Sequence, residues 1–531
     1  MSFVKKFFTN LGSAPEAQYS AQVAAPSQIT AASTLGAPAI VVEEKGKPVT
    51  STWEQDPNHA LPPRKEEKPK RSILDYAVKA AGSTWALAIT FALVIAWAVW
   101  GIVDGPTDTW QVILQDVSSI QAYISATLLL RQQATSAKGT LNRLCTLISR
   151  SESNERMLRS LSPKRRADLK LNKHPMRADI LASMQVKEGT FDKIANWVAK
   201  AVGSLSFLVI YWIGMIVWVV WGVPLMFSDT WQLYVNTATA LEITLTTMFL
   251  QNIMCRHDDH LEEVIKTINL IDCDVEMQLR QMTGDRDDNP VVVSTPPKLT
   301  TWRKAIDIYA IIFGGPIGVV ISVIVFGLWI AVGPVLEFDD NWFLIIGTYT
   351  GLMGFVDGFV MNNMAEREVL LSNIHTERLA DQDYKLFGLL DIDMPQTLAP
   401  TKPSLQMRIS DKIGSWCAST AASYVAVATV VILISIASAM QWTETGQLLC
   451  NTPTMIVEGF LLIILLQADT TAEEKRRVTY DDILKRRLML EGHVAGSDDP
   501  EWILPELFNE KNRESMRGFI TRGSVVFQNA V

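Results

Sequence analysis

Apolar residues along this chain gather into eight runs that are long enough to cross a membrane. Four of the runs contain no Asp, Glu, Lys or Arg, and each is followed after a short turn by a second apolar run. A helix needs about 20 apolar residues to cross a bilayer. The pattern therefore predicts an all-α polytopic membrane protein with eight transmembrane helices. The predicted spans are 84–103, 110–130, 202–224, 231–254, 308–333, 342–361, 418–440 and 448–467.

The second span of each pair begins with a similar sequence. The four beginnings are DTWQVILQDVSS at Asp108, DTWQLYVNTATA at Asp229, DNWFLIIGTYTG at Asp340 and ETGQLLCNTPTM at Glu444. Trp110, Trp231 and Trp342 recur at intervals of 121 and 111 residues, and Gly446 stands where the fourth Trp is expected. This pattern predicts four parallel copies of one helical hairpin. A pseudo-fourfold or a pseudo-twofold axis along the membrane normal is consistent with it.

The distribution of positive charge predicts the orientation. The short turns within the four hairpins contain no Lys or Arg, whereas residues 131–201 alone contain fifteen. Because Lys and Arg are enriched on the cytosolic side of a membrane, both termini and the three long loops are predicted to be cytosolic. The bilayer is then the first partner of the chain, and a homo-oligomer stays open as a further arrangement.

The hairpins and loops divide the chain into nine segments. These are a disordered cytosolic tail (1–70), hairpin repeats at 71–135, 201–256, 301–365 and 411–470, a basic cytosolic loop (136–200), cytosolic helical loops at 257–300 and 366–410, and a cytosolic C-terminal tail (471–531). Apolar residues at three- and four-residue spacing in the helical loops indicate amphipathic helices. Such helices either extend the spans and pack on each other, or offer a surface to a regulatory partner.

Composition narrows the function classes. A hydrophobic fraction of 48% excludes a disordered or purely soluble chain, and the net charge of -8 averages basic loops with acidic turns, so it indicates no nucleic-acid partner. Nucleotide-binding and hydrolase motifs do not occur in the sequence. We therefore expect neither an enzyme nor a bound cofactor, and no pump driven by ATP.

The most informative pattern is the distribution of acids. Each second span carries one acid, namely Asp116, Glu242, Asp357 or Glu458, and no span contains Lys or Arg. A carboxylate at mid-membrane depth costs about 3 kcal/mol on insertion scales. The four acids are therefore protonated, face water, or are neutralised by a cation. At about 1.5 Å per helical residue, they are predicted to lie about 9, 16, 22 and 18 Å below the outer ends of their helices.

Polar neighbours extend this pattern into a candidate route for cations. Gln121 occupies the repeat position of Glu242, and Asn236 matches Asn451. Carboxylate and amide oxygens suit hard or borderline divalent cations. The alternative for an amide or hydroxyl is a hydrogen bond to a neighbouring helix, and for an acid a protonated structural role. The predicted metal-contacting residues are Asp116, Gln121, Asn236, Glu242, Asp357 and Glu458.

Two polar segments that follow the spans are open to simpler interpretations. His257 and His260 have the spacing of paired metal ligands, but a solvated helix face is the favoured interpretation. The run from Glu473 to Arg476 is interpreted as an ordinary surface charge run.

The repeated element also resembles a known family. The segments DTWQLYVNTAT (229–239), NTATALEITLTTMFLQN (236–252) and DTWQVILQDVSSIQAYISATLLLRQQ (108–133) are similar to the fungal low-affinity iron permeases (low-affinity iron/zinc ion transport proteins). The resemblance covers most of 72–480, and the fourth copy departs from it at Gly446 and Pro453. It implies a plasma-membrane carrier of ferrous iron, with zinc, copper and manganese as further candidate substrates. It supplies no ligand residues.

These observations predict a divalent metal transporter driven by the membrane potential or by an ion gradient. The inside-negative potential contributes about 4.6 kcal/mol per 100 mV for an ion of charge two. Two other hypotheses remain open, namely a cation channel and a membrane scaffold that transports nothing.

Overall fold

The computed structural model describes residues 19–23, 40–41, 73–105, 107–172, 180–181, 184, 189–294, 301–395 and 405–494. Three short strands, β1 (Tyr19–Val23), β2 (Ile40–Val41) and β3 (Val292–Ser294), form an antiparallel sheet in the order β2-β1-β3. The sheet joins the predicted N-terminal tail to the loop that precedes the third repeat. The remainder of the tail, predicted to be disordered, lies outside the described residues.

The rest of the described chain contains four consecutive sets of three helices, which we call units. Each unit has a short helix, an apolar helix and a long helix. The short helices are α1 (Ile73–Ala81), α5 (Thr190–Val202), α8 (Thr301–Phe313) and α11 (Leu405–Cys417). The apolar helices are α2 (Thr84–Asp104), α6 (Leu205–Gly222), α9 (Pro316–Val332) and α12 (Thr420–Ala439). The long helices are α3 (Asp108–Ser160), α7 (Asp229–Thr283), α10 (Asp340–Leu390) and α13 (Glu444–Val494), and α4 (Pro163–Leu171) follows the first of them.

The four long helices form a closed ring in the order α3, α7, α13, α10. Each short helix and its apolar helix pack at the groove between the long helix of their own unit and the next long helix of the ring. Thus α1 and α2 pack against α3 and α7, and α5 and α6 pack against α7 and α13. The same relation holds in the other two units, which is the arrangement expected around a pseudo-fourfold axis.

Six helices are long and apolar enough to cross a membrane by length and composition: α2, α3, α6, α10, α12 and α13. The pair α8 and α9 adds a seventh span if its two members are taken as one, but they meet at a bend of 65°. The predicted span over 308–333 therefore contains a bend, because α8 ends at Phe313 and α9 begins at Pro316 after Gly314 and Gly315. The first half of α7 is more polar and does not pass the same test.

Stacked tryptophans close three of the hairpin turns. The rings of Trp97 and Trp110 lie 3.9 Å apart, and the indole N–H of each donates to the carbonyl of the other at 3.0 and 2.9 Å. The pairs Trp218–Trp231 and Trp329–Trp342 repeat both the stacking and the two hydrogen bonds. The recurring tryptophan of the sequence is therefore half of a clamp whose other half lies 13 residues earlier.

The fourth turn lacks this clamp, because Gly446 replaces the tryptophan. In the first two units the clamp tryptophan packs on the backbone of a glycine, and a Cβ on Gly101 would stand 2.5 Å from the ring of Trp110. In the fourth unit Ala437 takes the position of that glycine.

The long helices run without a break across the predicted boundaries between hairpins and cytosolic segments. They have 51 to 55 residues, hence lengths of about 75–85 Å, more than twice the hydrocarbon thickness. Their second halves form a four-helix bundle in which apolar clusters surround buried ion pairs. There Arg487 pairs with Asp272 at 3.2 Å and with Asp383 at 2.8 Å, and all three side chains are at most 1% exposed.

Candidate functional site

Equivalent residues of the long helices are counted from Trp110, Trp231, Trp342 and Gly446, which we call the anchor residues. At positions 5 and 6 after the anchor, all four helices place polar side chains in the interior of the ring. Each of these side chains has a buried polar atom with no hydrogen-bond partner among the described residues. They are Asp116, Asn236, Thr348, Asn451 and Thr452. This outer polar layer offers oxygen atoms that the protein itself leaves unsatisfied.

One helical turn deeper, threonine recurs at position 8. The hydroxyls of Thr239, Thr350 and Thr454 donate to backbone carbonyls four residues earlier, at 2.8, 2.8 and 3.3 Å. A hydroxyl that donates its proton to a backbone carbonyl still has its oxygen lone pairs available to another partner. Each of the three hydroxyls is therefore an acceptor suited to a cation.

A small cavity of about 10 Å³ lies at this level, enough for about one water molecule. All four long helices contribute to its wall, so it lies on the axis of the ring. Its lining comprises Ser118, Ser119, Ala122, Ala240, Ile243, Thr350, Gly351, Met455 and Glu458. Glu458 is the acid in that lining.

Glycines of neighbouring helices make room for two of the carboxylates. Glu458 lies against Gly354 of α10, where a Cβ would stand 2.2 Å from Oε1. Glu242 lies in the same way against Gly459 of α13, and Thr246 donates a hydrogen bond to its Oε1 at 2.9 Å. The carboxylates thus rest on bare backbone of the next helix, because a side chain there would fill their place.

Tyrosines from the surrounding helices lie beside two of the acids, Asp357 and Glu242. Tyr309 of α8 donates its hydroxyl proton to Asp357 Oδ1 at 2.8 Å. The hydroxyl of Tyr211 in α6 lies beside Glu242, and it donates to the carbonyl of Ile456 at 2.6 Å. Glu242 and Asp357 therefore lie toward the grooves of the ring, and Glu458 lies on its axis.

Three of the acids form one electrostatic group. Glu458 is close enough to both Asp357 and Glu242 for their charges to interact, whereas Asp116 lies six positions nearer the turn than Glu458, about 9 Å along the helix. None of the four forms an ion pair within the described residues. Nor do three His, Cys, Asp or Glu side chains converge on a metal-sized site in that part of the chain. A metal ion here would be held by scattered oxygen atoms.

A ring of apolar side chains closes the axis below the acids. It consists of the residues at position 19 of the four long helices, which are Leu129, Leu250, Met361 and Leu465. All four belong to one core cluster, and each is at most 1% exposed. These buried apolar side chains separate the acids from the second half of the bundle.

Beyond the apolar ring lies a second ionic group, which we call the inner-mouth cluster. Its members are His257, Asp258, Glu368, Asp469, Glu473 and Arg476. His257 Nδ1 lies 3.0 Å from Asp469 Oδ2, and Arg476 contacts both Glu368 and Asp469. The interpretation of His257 as part of a solvated face is wrong, because its side chain is 11% exposed. The run 473–476 is not an ordinary surface run either, because Glu473 is buried.

Burial governs the charge state of this cluster. It raises the pKa of Glu368 to about 7, against the opposing effect of Arg476. Burial raises the pKa of Asp258 as well, although Gln132 and Ser136 donate hydrogen bonds to that carboxylate. Negative charge is therefore only partly compensated in the inner-mouth cluster.

The predicted metal-contacting residues occupy two levels. Asp116 and Asn236 are in the outer polar layer, and Glu242, Asp357 and Glu458 are in the electrostatic group about two helical turns deeper. Gln121 takes the position of Glu242 in the first repeat, and its Nε2 is buried without a partner. Sequence reasoning missed Tyr211 and Tyr309, which it had no reason to place beside acids far along the chain. It also missed Gly354 and Gly459, and the recurrence of apolar residues at position 19, which the repeat alignment contains.

Comparison with known proteins gives a consistent result. A family model described as low affinity iron permease matches residues 191–282, 303–382 and 406–499. The low-affinity iron/zinc ion transport protein fet4 of Schizosaccharomyces pombe is 39% identical over 80% of this chain and 73% of its own length. The low-affinity Fe(2+) transport protein of Saccharomyces cerevisiae is 37% identical over 79% of this chain and 82% of its own. No solved structure matches the chain.

Proposed function

Since the chain belongs to the low affinity iron permease family, which is a family of transporters and not of enzymes, we propose that it imports ferrous iron with low affinity across the plasma membrane. Zinc is a further substrate that the name of one relative supports. Copper and manganese fit the same oxygen ligands. The metal ion is cargo in this proposal, and the protein needs no resident cofactor.

The proposed topology has eight spans in four hairpins, with both termini in the cytosol. In it the first half of α7 is the fourth span, although it is more polar than the others. Its position in the ring supports this assignment, because α7 packs between α3 and α13 as each other long helix packs between two neighbours. Its polar residues face the interior, where Asn236 and Thr239 are buried.

The observation that carries the proposal is the group formed by Glu242, Asp357 and Glu458. Three carboxylates interact inside an apolar bundle that supplies no Lys or Arg at that depth. Each unpaired charge there costs about 3 kcal/mol on insertion scales. A passing divalent cation removes that cost and is attracted by it, so the acids act as transient metal ligands, with Asp116, Asn236 and Gln121 on the way to them.

The apolar ring supports a carrier over an open channel. A hydrated ion does not pass buried side chains that are at most 1% exposed, so the four long helices must shift for each ion to cross. The membrane potential is negative inside the cell and contributes about 4.6 kcal/mol per 100 mV to the inward movement of an ion of charge two. This contribution drives import without ATP.

Iron uptake in cells that lack other importers tests the proposal. Glu458→Gln, Glu242→Gln and Asp357→Asn should each lower uptake at equal surface expression. Glu474→Gln is the matched control, because it removes an exposed carboxylate that pairs with Lys200. Full uptake by all three variants would exclude these acids as metal ligands, and no uptake by the unchanged protein would favour a scaffold without transport.

A further inference from the structure

The inner-mouth cluster holds a loosely bound guanidinium among buried carboxylates. Arg476 lies 3.6 Å from Glu368, 3.5 Å from Asp469 and 3.5 Å from Glu473. Tight charge-assisted hydrogen bonds are shorter, about 2.7–2.9 Å. Arg476 Nε and Glu473 Oε2 face each other and are both buried without a hydrogen-bond partner. The guanidinium is therefore surrounded by acids but not locked to any of them.

The charges of the cluster do not balance. Four carboxylates meet Arg476 and the half-buried Arg477, which pairs with Glu473 at 3.0 Å. Asp258 receives its hydrogen bonds from Gln132 and Ser136, which are neutral. The four carboxyl groups outnumber the two guanidinium groups by two, so the fully ionised acids have an excess that one divalent cation would neutralise.

The ligand types present suit a borderline divalent metal. Carboxylate oxygens come from α7, α10 and α13, and an imidazole comes from α7. A carboxylate on one nitrogen of an imidazole, as Asp469 provides for His257, is the arrangement that orients a histidine whose other nitrogen binds a metal. Such a mixed set of nitrogen and oxygen ligands accepts Fe²⁺, Zn²⁺ or Mn²⁺.

The bundle offers a cation no way onward along its axis. Farther into the cytosolic half, Arg487 fills the centre between Asp272 and Asp383, and Arg150 is fully buried beside Glu276. The fully buried side chains of these ion pairs obstruct the axis for a hydrated ion. An ion that has passed the apolar ring therefore leaves sideways between the helices, at the level of the inner-mouth cluster.

We propose that the inner-mouth cluster is a divalent-cation release site whose resting occupant is the guanidinium of Arg476. An arriving metal ion displaces Arg476 from Glu368, Asp469 and Glu473, and the returning guanidinium expels the ion toward the cytosol. This inference rests on the proposed transport function for its direction, but metal binding at the cluster is testable without transport.

The test is Mn²⁺ binding to purified full-length protein, measured by the loss of the free Mn²⁺ signal in electron paramagnetic resonance. A Glu458→Gln background weakens binding at the mid-membrane acids, so that the inner mouth dominates. In that background Arg476→Gln should tighten Mn²⁺ binding at least about tenfold, because the competing cation is gone. Asp469→Asn should weaken binding by a similar factor. Lys475→Gln, which removes an exposed charge one residue away, should change it less than about twofold.

Iron uptake distinguishes the two proposals. If the unchanged protein imports no iron in cells that lack other importers, the proposed function fails, whereas the Mn²⁺ result still decides the inner mouth. Arg476→Gln in the otherwise unchanged protein should slow uptake, because metal stays bound at the release site. Unchanged Mn²⁺ affinity in either Arg476→Gln or Asp469→Asn would overturn the inference, so a folding failure of one variant leaves the other to decide.

Discussion

Replacing Gly354 by Ala should displace the carboxylate of Glu458 and impair metal uptake without unfolding the protein. A Cβ at Gly354 would stand 2.2 Å from Oε1 and 2.3 Å from Oε2, whereas real Cβ atoms essentially never come within 3.0 Å of another heavy atom. The carboxylate ends a flexible side chain, so it moves more readily than the backbone of α10. It must withdraw from the bundle axis by about 1 Å.

The cost to a passing ion follows from that displacement. At an effective dielectric constant of about 20, lengthening a carboxylate–metal distance from about 2.1 to about 3.1 Å removes about 5 kcal/mol of attraction. This is a ceiling, because the ion follows the carboxylate. We expect uptake at subsaturating iron to fall at least about tenfold, equivalent to about 1.4 kcal/mol. In an unhindered helix interior Gly→Ala is instead favourable by about 1 kcal/mol, so loss of helix stability is not the cause.

Uptake of radioactive iron at equal surface expression measures the effect. Gly388→Ala is the control in the same helix, because a Cβ there meets open space and should leave uptake unchanged. Gly459→Ala is the parallel case, since its Cβ would displace Glu242. Normal uptake by Gly354→Ala, with Gly388→Ala also normal, would refute the assignment of Glu458 to the ion path.

Three further changes test the surrounding structure. Gly222→Ala places a Cβ 2.9 Å from the ring of Trp231, so the free energy of unfolding of the purified protein in denaturant should fall by about 1–3 kcal/mol. An unchanged unfolding midpoint would show that the tryptophan clamp tolerates the methyl group. Asp383→Asn leaves buried arginines without a full partner and should lower the free energy of unfolding by about 3–5 kcal/mol in the same assay. The control Asp391→Asn changes an exposed carboxylate and should have no measurable effect. Equal unfolding midpoints for the two variants would contradict a structural role for the buried ion pairs. Leu250→Ala removes part of the apolar ring and should raise the maximal rate of iron uptake, while it lowers the free energy of unfolding by about 2–5 kcal/mol. A slower rate at equal expression would argue against a gate at the apolar ring.

The repeat was readable from sequence because one large side chain marks it. Trp110, Trp231 and Trp342 set the register of three helices, and that register then aligns positions far from the membrane surface. The sequence did not reveal why tryptophan is needed there. Its stacking partner lies on the preceding helix, and the glycine under the ring is recognisable only once the two helices are known to meet.

The partners of the acids were beyond sequence reasoning for a related reason. Tyr309 contacts Asp357 across 48 residues, and Tyr211 lies beside Glu242 because α6 packs in a groove of the ring. Helical periodicity places a residue on a face but does not say which helix that face meets. The order α3, α7, α13, α10 departs from chain order, so neighbours in the ring cannot be inferred from neighbours in sequence.

The inner-mouth cluster was missed because local composition is ambiguous at a membrane boundary. Charged residues after a span usually enter solvent, and this expectation holds for Glu474 and Lys475. It fails for Glu473 because the helix continues and packs inside a second bundle. Only the length of the unbroken helix distinguishes a charged segment that enters solvent from one that packs inside a bundle. No capping or helix-breaking residue in the sequence marks where the helix ends.

The acids depart from the positional recurrence of the apolar ring. The ring residues all stand at position 19, but Asp116, Glu242, Glu458 and Asp357 stand at positions 6, 11, 12 and 15 after their anchors. Four carboxylates at one level would repel each other strongly and would bind a divalent cation tightly once it arrived. Spread over about 14 Å of helix, they would instead meet the proposed ion a few oxygen atoms at a time. A site that never completes a coordination shell would bind weakly and release quickly, which agrees with the low affinity in the names of the two relatives.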